Sequence, residues 1–342
     1  MTQHYISTTY QSNTNSSVIT TQPKMSSTTT TKELKTDLSP LIRVYTDGSV
    51  ERLWGPPTVP ATLEDPETGV ASKDITLSPT TNLIARLHLP KLTQQNQKLP
   101  IVVYFHGGGF CLKSAFSSTE HRYMNFLATE AHALIVNVEY RLAPEHPLPA
   151  AYDDGWTALN SLASVDEPWI TNHGDLNTIF VGGDSAGANI AHNLAMRAGS
   201  ETLNNGIKLR GIYLCHPYFL GPKRVGTRDP KHDMGFNKER AYDTWELAYP
   251  GAGPNHYMIN PSVKDAPSLK DLGCEKVLVI TGENDDIVDW GVLYYNGLKE
   301  SGYGGNVELF EVKDEGHSFQ VFNPTCENAK LMIQCLASFF HS

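Results

Sequence analysis

The chain has 342 residues, is 40% hydrophobic, and carries a formal net charge of −10 with a pI near 5.7. That is enough apolar material for one large α/β domain or two small ones, which excludes global disorder. The acidic balance argues against a nucleic-acid binder, which needs a basic face, and no apolar run reaches the ~18 residues of a membrane span.

Residues 1–33 are Ser/Thr-rich and are expected to form a disordered tail. They contain no apolar h-region, so no signal peptide is expected there. The absence of Arg argues against the transit-peptide composition that such a stretch otherwise shares. Met25 offers an alternative start. The five cysteines (Cys111, Cys215, Cys274, Cys326, Cys335) are scattered and never spaced C-x-x-C. That pattern fits reduced thiols in a cytoplasmic protein better than a disulfide framework or a zinc site, and neither a metal nor a cofactor is expected.

Ordered sequence begins near Leu34. Residues 38–45, followed by Asp47-Gly48, read as a short extended piece ending in a turn. Residues 54–72 hold Pro56, Pro57, Pro60 and Pro66, which predicts an irregular wrapping segment. Residues 74–77 and 83–89 alternate around Ser78-Pro79-Thr80-Thr81-Asn82 and predict a hairpin. From there the pattern changes. Residues 99–105 and 133–138 are continuous apolar runs, too short for helices and rich in β-branched residues, as in central strands buried on both faces. A helix is predicted over 118–131 between them, and another over 149–163 with proline at its start.

Further strands are predicted before Ser185 and over 210–215, 276–281 and 307–312, with helices over 289–300 and 325–340. The alternation implies an α/β fold: a mostly parallel central sheet with helices on both faces, spanning 34–342 as one domain. Residues 217–270, rich in Pro, Gly and aromatics, interrupt the alternation as a lid-like insertion. Its aromatics Phe219, Trp245, Tyr249 and Tyr257 are either pocket walls or simply the core of that lid. No internal repeat is visible.

The apolar run Ile179-Phe180-Val181 leads through Gly182-Gly183-Asp184 to Ser185-Ala186-Gly187 and a helix-like continuation. Strand, tight turn of small residues and helix is the context of a G-x-S-x-G nucleophile elbow. A serine hydroxyl needs a base, and the base needs an acid to orient it. The loop after 276–281, Gly282-Glu283-Asn284-Asp285-Asp286-Ile287, is rich in carboxylates. The loop after 307–312 contains Glu315-Gly316-His317-Ser318-Phe319. The order serine, acid, histidine therefore points to Ser185, an aspartate near 285, and His317. After the first buried strand comes His106-Gly107-Gly108-Gly109-Phe110. Such a glycine run lets backbone N–H groups approach a developing oxyanion, joined by the N–H of Ala186 after the nucleophile.

Taken with Pro40-Leu41-Ile42-Arg43-Val44-Tyr45, Glu51-Arg52, Asp65-Pro66-Glu67-Thr68-Gly69-Val70 and Tyr140-Arg141-Leu142-Ala143-Pro144-Glu145-His146, these motifs carry a resemblance. Over residues 34–342 the chain resembles the plant class I carboxylesterases of the hormone-sensitive-lipase branch, which include 2-hydroxyisoflavanone dehydratase-like proteins. The resemblance implies an α/β-hydrolase fold with an N-terminal cap, here residues 34–72, and a triad on Ser185, Asp285 and His317. The family's Asp-x-(Leu/Ile) pair favours Asp285, two residues before Ile287, over the competitors Asp286 and Asp289.

The oxyanion hole is expected from Gly107, Gly108, Gly109 and Ala186. The implied substrate is a small, fairly apolar ester, or a flavonoid-like molecule in the dehydratase alternative. The related gibberellin receptors lack the triad histidine that His317 supplies here. Oligomeric state is not legible from the sequence.

Overall fold

A computed structural model describes residues 32–222, 225–226 and 238–342. The expected tail, apart from its last two residues, and part of the 217–270 insertion lie outside the described residues. Among the described residues, no helix is long and apolar enough to cross a membrane.

The chain opens with a three-stranded antiparallel sheet of β1 (Leu34–Leu38), β2 (Ile42–Tyr45) and β3 (Val50–Arg52). Only the middle strand falls within the extended piece expected from sequence. β1 is mostly exposed and has no clean apolar alternation. The 54–70 stretch follows without regular structure.

The rest is organised on one eight-stranded sheet. Its strands are β4 (Ala71–Ser78), β5 (Leu83–Leu89), β6 (Leu99–Phe105), β7 (Leu134–Glu139), β8 (Gly174–Asp184), β9 (Leu209–Cys215), β10 (Lys276–Gly282) and β11 (Asn306–Val312). They lie in the order β11-β10-β9-β8-β6-β7-β5-β4. All neighbours from β7 to β11 pair in parallel, while β5 runs antiparallel to both β4 and β7. The hairpin of β4 and β5 therefore extends the main sheet.

Strand alternation assigns the two faces. In β6, Ile101, Val103 and Phe105 join one core, with Leu159 of α2 (Ala150–Ser161), Ile190 and Leu194 of α4 (Ala186–Ser200), and Leu298 of α6 (Val288–Glu300). Val102 and Tyr104 join the other, with Tyr123 and Leu127 of α1 (Ser118–Ala131) and Met332, Ile333 and Leu336 of α8 (Glu327–His341). The stripe Ala329, Met332, Ile333, Leu336 and Phe340 gives α8 one apolar face at helical spacing, and that face is what it buries.

Shorter helices are α3 (Pro168–His173), α5 (Lys238–Ala248) and α7 (Phe319–Phe322). The parallel strands all run the same way, so β6, β8, β9, β10 and β11 deliver their following loops to one edge of the sheet. That edge carries the site, as expected for open α/β sheets.

Candidate active site

β8 ends at Asp184 and α4 begins at Ala186, so Ser185 alone makes the reversal, at φ 55° and ψ −112°. A side chain held there costs roughly 1–3 kcal/mol, and neighbouring contacts must over-determine it. The Ser185 N–H donates to the Cys215 carbonyl at 2.9 Å, and the Ser185 carbonyl accepts from Asn189 and Tyr218, both at 3.1 Å. The flanking glycines have a steric cause. A Cβ on Gly183 or on Gly187 would run into the Phe105 carbonyl oxygen at the end of β6.

The loop at 106–110 leaves that same strand end. Gly108 and Gly109 adopt φ of 105° and 60°. A Cβ on Gly107 would lie 3.0 Å from Asp184 Oδ2 and 3.3 Å from Ser185 Cβ, so the loop runs alongside the elbow. Among the described residues, the N–H groups of Gly107, Gly108 and Gly109 donate to no backbone acceptor. Ala186 opens α4, and the first N–H groups of a helix have no intrahelical acceptor. His106 braces this loop. Its ring stacks on Tyr140 at 4.3 Å, its Nδ1 lies 2.8 Å from the Gly107 carbonyl, and the Tyr140 hydroxyl donates to the His106 carbonyl at 2.8 Å. Burial lowers its pKa to about 3, so the ring stays neutral and acts as a strut.

Among the three candidate acids, it is Asp285 whose carboxylate meets His317. Asp285 Oδ2 lies 2.8 Å from His317 Nδ1, and Oδ1 accepts the Ile287 N–H at 3.0 Å. Burial alone would raise the Asp285 carboxyl, but the charge and hydrogen bond of His317 and the hydrogen bond of His216 hold it well below the usual carboxylate range. Burial likewise opposes a charge on His317, yet the adjacent Asp285 carboxylate lifts the imidazole above its ordinary value. The acid thus stays ionised and the base holds its proton more firmly than a free histidine.

Two residues of this cluster were not singled out from sequence. His216, directly after β9, places Nδ1 3.1 Å from the same Asp285 Oδ2. Its ring is edge-on to His317 at 5.6 Å. A polar residue at the carboxyl end of a buried central strand is the signal that marks it. Asp184, inside the elbow itself, accepts hydrogen bonds from the Ser318 hydroxyl and from Gln320 Nε2, the latter at 2.7 Å. It thereby ties the serine turn to the histidine loop.

The donor atoms of His216, Asp285 and His317 lie within 4.8 Å of one another. They meet at hydrogen-bond lengths, and a cation ligated at roughly 2.0–2.2 Å would have to displace the bond that orients His317.

Ser185 and His317 open onto one cavity of about 310 Å3, which Gly108 and Gly109 also face. Gly107 and Ala186 are not among its described lining residues. Pro40, Leu41 and Trp54 of the N-terminal segment close one side, and Thr244 of α5 and Phe322 of α7 close others. The aromatics considered for this role in the insertion are not its walls. Phe219 and Trp245 are buried, with Phe219 against Tyr294 at 4.8 Å and Trp245 against Tyr249 at 5.6 Å. Tyr257 stacks on His256 and is 40% exposed. Phe219 thus packs against α6 of the main domain, and Trp245 packs on Tyr249 within the insertion.

Residues 102–321 match the alpha/beta hydrolase fold family. The chain is 47% identical over 324 residues to "2-hydroxyisoflavanone dehydratase" of Glycyrrhiza echinata, covering 92% of this chain and 98% of that one. It is 42% identical to "Probable carboxylesterase 2" of Arabidopsis thaliana, covering 91% and 98% of the two chains. The chain belongs to the plant class I carboxylesterase family of α/β hydrolases. Among solved structures, an esterase of Pyrobaculum calidifontis superposes with a TM-score of 0.64 at 28% identity, covering 79% of this chain and 84% of the esterase.

In this family member, the segment from Tyr140 to Glu145 works as scaffolding. Beyond the Tyr140 strut, Arg141 forms a salt bridge with Asp154 of α2 at 2.8 Å. Arg52 of β3 donates in bidentate fashion to Glu145, both bonds 2.7 Å, and also to the Cys111 carbonyl at 2.7 Å. One guanidinium thereby fastens the N-terminal sheet to the glycine loop.

Proposed function

We propose that this α/β hydrolase is a serine carboxylesterase that cleaves a small, fairly apolar ester through an acyl-enzyme. Ser185 Oγ attacks the ester carbonyl carbon while His317 Nε2 takes its proton, and Asp285 holds the imidazole through Nδ1. The N–H groups of Gly107, Gly108, Gly109 and Ala186 receive the oxyanion. When the carbon–oxygen bond breaks, the proton on His317 passes to the leaving alcohol. Water, deprotonated by His317, then frees the acid and Ser185. In this reading residues 34–72 act as a cap and 217–270 as a lid over the cavity, within one hydrolase domain. A cytoplasmic setting is part of the proposal, supported by five cysteines that all remain free thiols.

The observation that carries this reading is the shared cavity. A strained serine and an aspartate-bound histidine open into it together, beside a glycine loop with unengaged N–H groups. Replacing Ser185 with Ala and assaying p-nitrophenyl acetate tests it. Turnover should vanish, and undiminished turnover would refute the covalent mechanism.

A second reading has an observation of its own, since a relative 47% identical is named a 2-hydroxyisoflavanone dehydratase. In that reaction His317 removes the proton next to the ketone, the glycine loop holds the enolate oxygen, and the hydroxyl leaves as water. Ser185 forms no bond. A Ser185→Ala protein that dehydrates a 2-hydroxyisoflavanone while His317→Ala does not would favour it.

A further inference from the structure

The cavity holds a charge that ester hydrolysis does not use. Lys113 stands on the loop that follows the glycine run, with its backbone at φ 69°, a left-handed conformation unusual for a long side chain. That side chain is only 4% exposed, yet it lines the cavity that Ser185 and His317 share. Its ammonium is 2.9 Å from Glu120 Oε1, a carboxylate of α1 with no exposure at all. On the other side lie aromatic rings, Phe322 at 5.0 Å and Trp54 at 6.0 Å from Nζ. Glu120 takes one of the three ammonium hydrogens, which leaves donor capacity on a nitrogen that stands beside both rings.

Among the described residues that line the cavity, Lys113 and Arg240 carry formal charge and none is a carboxylate, although the protein as a whole carries −10. A buried Lys–Glu pair is also costly to maintain, because an apolar pair of similar volume is often as stable or more so. Glu120 compensates the lysine charge, and the flanking rings favour a cation beside them.

We propose that Lys113 is an anion subsite of the catalytic cavity, and that the natural substrate carries an acidic oxygen, a carboxylate or an acidic phenol, on an otherwise apolar body. The acidic oxygen takes a charge-assisted hydrogen bond from Nζ while the body lies between Trp54 and Phe322. This rests on the reading of the cavity as the catalytic pocket, but not on the reaction performed there.

Binding to the full-length Ser185→Ala protein, measured by calorimetry, tests it without turnover. Phenylbutyrate is compared with phenylbutanamide, and a fluorinated acidic phenol with its methyl ether, each at low and high salt. The acidic member of at least one pair should bind about tenfold or more tightly, with the advantage shrinking in salt. Which pair shows it identifies the acidic group. In the added double variant Lys113→Met with Glu120→Gln, which leaves no buried charge unpaired, the preference should fall to about twofold or less. Lys113→Arg should retain it, and so should Arg240→Gln.

Circular dichroism checks that each variant folds. Should the double variant fail, Lys113→Gln serves in its place. Equal binding within both pairs, or a preference that survives loss of Lys113 or disappears with Arg240, overturns the proposal. Turnover of p-nitrophenyl acetate by the wild-type protein reports separately on the esterase reading. No hydrolysis with intact acid preference removes that reading alone, and hydrolysis without acid preference removes the subsite alone.

Discussion

The Asp184 carboxylate, one residue before Ser185, accepts the hydroxyl of Ser318, one residue after His317. Two loops more than 130 residues apart in sequence (134 for this pair) are thus locked by a buried bond immediately beside the groups that must exchange a proton. Positional errors of about 1 Å between such groups cost on the order of a hundredfold in rate. Asp184→Ala should therefore lower kcat by about one to two orders of magnitude. KM should change little, since Asp184 is not among the cavity walls. Asp184→Asn, which can still pair with Ser318, should lose less. Steady-state kinetics of the two variants check this, and equal losses would contradict it.

His216 gives the second prediction. It shares Asp285 Oδ2 with His317, at 3.1 Å and 2.8 Å respectively. Its hydrogen bond lowers the Asp285 carboxyl, so replacing it with Phe should raise the affinity of Asp285 for protons. A more basic carboxylate holds the proton on His317 more tightly. The acid limb of kcat/KM should shift to higher pH, with kcat reduced about tenfold. A pH–rate profile reads both changes at once.

The wild-type pH dependence follows from the raised pKa of His317, whose ordinary value is 6.5. The base acts only when neutral. Activity should therefore rise with pH through a value above 6.5 and be lost below it. Asp285→Asn removes the charge that lifts the imidazole, so the limb should move down in pH while kcat falls by about four orders of magnitude. A limb that does not move would mean that another acid orients His317.

Gly187→Ala tests the elbow as packing. The added methyl would meet the Phe105 carbonyl, a backbone atom at the end of a fully buried strand that cannot give way cheaply. A loss above ~4 kcal/mol is expected, enough to prevent accumulation of folded protein. Gly302→Ala, where a Cβ meets nothing within 4 Å though φ is 85°, should cost only about 1 kcal/mol. Denaturant titration of soluble protein separates the two.

Much of this architecture was legible because the chemistry sits where strands end. Ser185 and Asp285 each follow an apolar run, His317 follows the mixed strand β11, and such strands are what the sequence displays. The glycine loop was equally visible, since the run His106-Gly107-Gly108-Gly109 directly follows β6. Pairing across the chain was not visible. Nothing local in residues 74–89 says that their hairpin joins the main sheet, with β5 beside β7. The cavity walls were missed for the same reason. Pro40 and Trp54 reach the site from the N-terminal segment, whereas Phe219 packs on Tyr294 of α6 and Trp245 on Tyr249. His216 and Asp184 looked ordinary because their partners, Asp285 and Ser318, lie 69 and 134 residues away.

The central claim is that Ser185 carries the acyl group. Rapid mixing of the protein with p-nitrophenyl acetate, acid quenching and intact-mass and peptide analysis measures this directly. The account predicts one acetyl group per chain, located on Ser185, formed with a burst of p-nitrophenolate, and absent in Ser185→Ala. Steady turnover with no acetyl on Ser185, or an equal burst from the alanine variant, would contradict it.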